Sequence, residues 1–242
     1  QDMGEENRNL GTFLFAGDTG VGKTETAKTI ASIFFEDEKA LLHVDLAEYS
    51  QSGSINKLIG SPAGYIGSDK EGVLIRWFHS RNSGVLLFDE IEKAHMDVCM
   101  LLLGLLDNGR ITSARGETID TRQCVVILTT NSVTSKHIER GSVGFDRNNG
   151  PRVEDILGDH FPREFLGRFD ETILFHSLGD SNMRDIIDLR WKEALKRLEK
   201  KKIFIHYEKQ ALTSFIMDEL DMNKSGARGI VRILEQKILQ PI

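Results

Sequence analysis

Apolar residues follow two different rhythms along this chain. Up to about residue 178, short apolar runs alternate with helical segments. Thr12 to Ala16 reads as a buried strand, and Lys23 to Phe35 as a helix with Ala27, Ile30, Ala31 and Phe34 on one face. Leu41 to Leu46 predicts a second strand. Val85 to Phe88 and Cys124 to Leu128 are the most apolar short runs, each flanked by polar residues or glycine, and Ile173 to Phe175 closes the series. Continuous Val, Leu and Ile runs of this length suit a parallel sheet covered on both faces. The predicted class is α/β, a doubly wound parallel sheet.

From about Gly179 the rhythm changes. Ser181 is placed to cap a helix in which Met183, Ile186, Ile187, Trp191, Leu195 and Leu198 recur at helical spacing. Ile203 to Tyr207 looks strand-like, and Ala211 to Leu220 and Ala227 to Leu239 read as two further helices. The expected organisation is a large α/β domain over residues 1–178 and a small, mainly helical lid over residues 179–242.

Composition narrows the function. Hydrophobic residues make up 40% of the chain and charged residues 28%, which suits a globular protein and excludes global disorder. The longest apolar stretch, Val98 to Leu106, is far short of the roughly 18 residues of a membrane span. A net charge of −6 argues against broad attraction to nucleic acid or anionic lipid. The two cysteines, Cys99 and Cys124, lack metal-type spacing and fit a reducing compartment, the cytoplasm or an organelle stroma or matrix. The chain opens on Gln1 without a signal-like segment, so it is expected to be a module of a longer protein.

The chemistry begins at Gly17-Asp18-Thr19-Gly20-Val21-Gly22-Lys23-Thr24, a complete G-x-x-x-x-G-K-[ST] phosphate loop between a predicted strand and a predicted helix. Its glycines let backbone N–H groups turn toward phosphates, and the helix N-terminus adds positive potential. Lys23 is expected to reach the β- and γ-phosphates of ATP and the Thr24 hydroxyl to ligate Mg²⁺, with Glu25 completing the nucleotide-binding set. A second signal is Val85-Leu86-Leu87-Phe88-Asp89-Glu90, an apolar strand ending in two carboxylates at the same sheet edge. Asp89 is expected in the Mg²⁺ shell and Glu90 as the group that polarises the attacking water. The bland alternative for each is a glycine-rich turn and a solvated acidic turn.

Together with several stretches further along the chain, these residues resemble the AAA+ ATPases, and within them the second ATPase module of the Clp unfoldases and disaggregases. The matching stretches include Phe13 to Lys28, Asp45 to Tyr49, Gly60 to Gly67, Asp89 to His95, Asp107 to Arg110, Thr129-Thr130-Asn131, Glu164 to Asp170, and Gly226-Ala227-Arg228. Asp18, Ala63, Met96 and Gly167 depart from the family's usual residues without removing a catalytic group. The resemblance implies that Asn131 is the first sensor, Arg168 an arginine finger entering the neighbouring subunit's site, and Arg228 the second sensor. It implies that Gly64-Tyr65-Ile66-Gly67 is an axial pore loop gripping unfolded chains, with Ser113 to Ile119 a weaker second loop. Val143-Gly144-Phe145 resembles the tripeptide with which some members dock on a Clp peptidase.

The implied function is an ATP-hydrolysing hexameric ring that unfolds and threads protein substrates for delivery to a Clp peptidase, with an adaptor as a further partner. Two alternatives stay open: a disaggregase that hands substrate to no peptidase, and a nucleotide-gated scaffold with little turnover. A nucleic-acid-loading role is disfavoured by the charge and by the lack of a DNA-binding motif.

Overall fold

The computed structural model describes residues 8–62, 64, 70–132, 157–158, 161–223 and 227–240. The chain divides into two compact units, Gln1–Asp18 with Lys23–Phe175, and Thr19–Gly22 with His176–Ile242. In the first unit, β1 (Gly11–Gly17), α1 (Lys23–Phe34) and β2 (Leu41–Asp45) are followed by a 3₁₀ turn at Leu46–Tyr49 and by α2 (Ile55–Ile59) and α3 (Val73–Ser80). Then come β3 (Gly84–Asp89), a 3₁₀ turn at Ile91–Lys93, α4 (Met96–Asn108) and the hairpin strands β4 (Arg110–Thr112) and β5 (Thr118–Asp120). The unit closes with β6 (Cys124–Thr130), α5 (Arg163–Leu166) and β7 (Glu171–Phe175).

Five of these strands form one sheet in the order β2-β3-β6-β1-β7, and every adjacent pair is parallel. Burial follows that order. The seven residues of β6 are all buried, whereas the edge strand β2 alternates. Alternate residues of the inner strands serve opposite layers. Leu14, Leu86, Phe88, Val126 and Leu128 pack with Leu74 of α3 and with Val98, Leu102, Leu105 and Leu106 of α4. Phe15, Val85, Leu87, Val125 and Ile127 pack with Ala27 and Ala31 of α1. Small alanines on α1 let that helix lie close against the sheet. Cys124 begins β6 fully buried, and burial pushes its thiol up to about 12, while Cys99 on α4 is half-buried.

In the second unit, α6 (Asp180–Lys200), α7 (Lys209–Asn223) and α8 (Ala227–Ile233) surround a core of Ile187, Trp191, Ala194, Ile216, Leu220, Ile230, Ile233 and Leu234. Three sequence expectations need correction here. Ser181 lies inside α6 and caps nothing: Gly179 is the N-cap in an extended conformation without a side-chain bond, and Asp180 places its charge in the first turn. Ile203 to Tyr207 forms no strand. The segment leaves α6 through Lys202 at φ 62°, and Tyr207 instead packs edge-on against Trp191, ring centroids 5.1 Å apart. The last helix is also not uniform, because α8 gives way at Leu234–Leu239 to a π-type turn in which Gln240 N–H bonds to the Glu235 carbonyl.

Candidate functional site

Parallel pairing brings the carboxyl ends of β1, β6 and β3 side by side, so segments far apart in sequence converge at one sheet edge. β1 ends at Gly17, whose φ of 148° and close approach to β7 exclude a side chain: a Cβ there would lie 2.4 Å from the Phe175 carbonyl oxygen. The loop turns through Gly20 at φ 85° and Gly22 at φ 110°, which favour glycine, and delivers Lys23 and Thr24 at the start of α1.

Lys23 is buried yet fully engaged. Its ammonium donates to the Gly17 carbonyl at 2.7 Å, the Asp18 carbonyl at 2.9 Å and Asn131 Oδ1 at 2.8 Å. Asp89, at the end of β3, lies with Oδ2 3.5 Å from Thr24 Oγ1 and 3.3 Å from His43 Nε2, and its Oδ1 accepts from Thr129 Oγ1. Burial opposes ionisation of Asp89, but hydrogen bonds from His43 and Thr129, with the charges of His43 and Lys23, outweigh it and hold the carboxyl at about 2. A carboxylate and a hydroxyl so placed suit Mg²⁺, which keeps several waters and needs few protein ligands. Among the described residues no group of three or more His, Cys, Asp or Glu is placed to hold a metal ion by itself.

Glu90 adopts the left-handed conformation, φ 62° and ψ 57°, which is rare for a side chain of its size. Its backbone N–H donates to Thr129 Oγ1 at 3.1 Å. Its Oε1 accepts from Asn131 Nδ2 at 2.8 Å, and its Oε2 accepts from Lys93 Nζ. Asn131 stands one residue beyond β6, and its own N–H donates to Glu92 Oε1 at 3.0 Å. Asp89, Glu90, Asn131, Lys23 and Thr24 are therefore brought together.

The remaining candidates are placed elsewhere. Arg168 follows α5, where its Nε donates to Asp107 at 2.9 Å and its Nη1 to the Glu164 carbonyl. Arg228 stands exposed in the first turn of α8; within the second unit, a Cβ built on Gly20 would lie 3.7 Å from Arg228 Cγ. Gly64 is exposed in a turn at φ 90°, while Tyr65, Ile66 and Gly67 lie outside the described residues, as do Val143, Gly144 and Phe145. Ser113 to Ile119 forms the turn and return strand of the β4–β5 hairpin, with Ser113 buried.

Sequence reasoning assigned no role to Thr129, His43 or Lys93. Thr129 had a signal, standing at the end of an apolar strand inside a stretch already singled out. For His43, a polar residue on an alternating edge strand, there was none.

Two family models match the chain. One, described as an AAA domain of the Cdc48 subfamily, matches residues 8–172, and the other, the C-terminal D2-small domain of ClpB protein, matches residues 178–242. Among curated proteins, a chaperone protein ClpB of Bdellovibrio bacteriovorus is 36% identical over all of this chain, which spans 28% of that protein. The mitochondrial chaperone protein ClpB4 of Arabidopsis thaliana is 38% identical over 98% of this chain, which spans 25% of it. Among solved structures, a Saccharomyces cerevisiae Hsp104:casein complex superposes on 97% of this chain with a TM-score of 0.80 at 35% identity, the match covering 40% of that structure's chain. A closed-state Hsp104 reconstruction with ATPγS and FITC-casein gives the same TM-score at 36% identity, covering 96% of this chain and 40% of that one.

Proposed function

The chain belongs to the AAA+ ATPases of the Clp family, and on that premise we propose that it is the ATP-hydrolysing module of a protein disaggregase that works without a peptidase. The relatives named above are ClpB chaperones and Hsp104, which supports the disaggregase reading over delivery to a Clp peptidase. Val143-Gly144-Phe145 accordingly carries no docking role in this proposal. The nucleotide-binding domain spans residues 1–178 and the lid 179–242. The substrates are unfolded or aggregated protein chains, gripped by Tyr65 within Gly64 to Gly67 in a hexameric ring, and the compartment is the cytoplasm or an organelle matrix.

The observation that carries the reading is the bonded series Lys23–Asn131–Glu90 beside Asp89 and Thr24. Gly17 to Thr24, with Glu25, bind the triphosphate, and Lys23 exchanges its carbonyl partners for β- and γ-phosphate oxygens. Thr24 and Asp89 would hold Mg²⁺, which would neutralise phosphate charge. Glu90 takes the proton of the attacking water, and Asn131 fixes that water and the carboxylate against each other. Arg168 leaves Asp107 to stabilise the transferring phosphoryl in the adjacent subunit, and Arg228 reports nucleotide to the lid.

The test is a pair of substitutions in the full-length protein. Glu90→Gln should retain ATP binding while turnover falls at least about a hundredfold, the low end for loss of a general base. Lys23→Ala should lose binding. Normal turnover by Glu90→Gln in an assembled ring would remove the base assignment. An intact Glu90-dependent ATPase that leaves aggregates undissolved, yet feeds a co-purifying peptidase ring, would restore the peptidase-delivery reading.

A further inference from the structure

Glu90 is held by more than its sensor. One carboxylate oxygen is bonded to Asn131 and the other to Lys93, two side chains approaching from different elements. The direction of these bonds is set by chemistry. Lys23 can only donate, so Asn131 must turn its Oδ1 to Lys23 and its Nδ2 to Glu90. That leaves one donor on one oxygen. A single hydrogen bond fixes a point but not a plane, and the Glu90 carboxylate would still turn about its last torsion.

Lys93 supplies the second point. It closes the 3₁₀ turn Ile91–Lys93, in which Lys93 N–H bonds to the Glu90 carbonyl at 2.9 Å. Glu90 caps this turn from its left-handed conformation, and the Lys93 ammonium three residues on reaches back to its carboxylate. The hydrogen bond to Glu90 is the largest influence raising the Lys93 pKa; desolvation works against it, and the charges of Glu90, Glu92 and Asp45 add to the rise. The Lys93 side chain is 50% exposed and that of Glu90 22%. An ion pair so open to water contributes little to folding. Geometry, rather than stability, is what it offers.

We propose that Lys93 is a positioning residue for ATP hydrolysis, fixing Oε2 of Glu90 so that the carboxylate plane stays aimed along Asn131 toward the phosphate loop. The inference rests on Glu90 being the base, as proposed above. A base that swings away from its water loses rate without losing affinity for nucleotide, since Lys93 has no place in the phosphate loop itself.

Three variants of the full-length protein decide it: Lys93→Met, Lys93→Arg and Glu90→Gln. In steady-state ATP hydrolysis, Lys93→Met should lower kcat by about tenfold or more, with KM for ATP within about twofold of the native value. Lys93→Arg, which restores a donor cation, should recover most of the rate. Thermal unfolding of Lys93→Met should match the native protein. The proposal is overturned if Lys93→Met keeps native kcat while Glu90→Gln is inactive, or if kcat and thermal stability fall while KM rises, without rescue by arginine. If Glu90→Gln turns over normally, the base assignment and this inference fall together.

Discussion

Gly17 and Gly22 sit five residues apart in one loop, yet they resist a side chain for different reasons. At Gly17 a methyl group would press to 2.4 Å on the Phe175 carbonyl of the adjacent strand, and neither backbone can give way without disturbing the β1–β7 pairing. At Gly22 nothing lies within 4 Å of the added carbon, so only the φ of 110° is costly. Gly22→Ala should therefore cost about 1–2 kcal/mol, the scale of left-handed backbone strain. Gly17→Ala should cost at least about 3 kcal/mol, in the far tail of single substitutions. Chemical denaturation of both variants checks this, and equal losses would mean that the β7 contact does not hold the loop's shape. The left-handed Glu90 belongs to the same scale, since its strained backbone is pinned from the next strand by Thr129. The phosphate loop was legible in the sequence because eight contiguous residues encode it. The Thr129 and Lys93 contacts to Glu90 were not, since only the folded 3₁₀ turn and the β3–β6 pairing create them.

Elements show the same division. The inner strands were readable because burial on both faces demands unbroken apolar runs; β1 and β3 each run one residue further at both ends, onto glycines and Asp89, and β6 two residues further, onto the buried Thr129 and Thr130. The expected strand at Ile203 to Tyr207 failed because alternation alone does not provide a partner, and the α6 cap failed because glycine geometry and one carboxylate replaced a hydroxyl. Between elements, His79 of α3 joins segments that the sequence keeps apart. Its Nε2 lies 2.9 Å from Glu117 at the hairpin and its Nδ1 3.4 Å from Glu71. A neutral imidazole has one N–H and satisfies only one carboxylate; the imidazolium satisfies both. The hydrogen bond to Glu117 leads in raising the His79 pKa above 6.5, desolvation works against it, and the Glu71 charge adds to the rise. A raised folded-state value means that this clasp contributes fully below pH 6.5 and is lost as pH climbs through the raised value. Titration of the His79 ring by NMR should show the elevated midpoint, and Glu117→Gln should bring it back toward 6.5. An unchanged midpoint in that variant would mean that Glu117 does not hold the ring.

At the scale of the whole molecule, strand order could not be read from sequence. Nothing local announces that β6 inserts between β3 and β1, although that insertion is what sets Asn131 between Lys23 and Glu90. The same insertion has a practical consequence. The innermost strand begins with a sulfhydryl that is sealed from solvent and, at a pKa of about 12, almost wholly protonated at neutral pH. Cys124 is thus a built-in clock for opening of the sheet. An alkylating reagent should modify half-buried Cys99 early, and Cys124 later by about a thousandfold or more, because reaction awaits an excursion whose improbability reflects the stability of the folded sheet. A bound ATP analogue with Mg²⁺, by favouring the closed form, should slow the second reaction further and leave the first nearly unchanged. Peptide mass spectrometry over a time course would read both, and comparable rates for the two thiols would show that β6 separates from its neighbours far more readily than its burial implies.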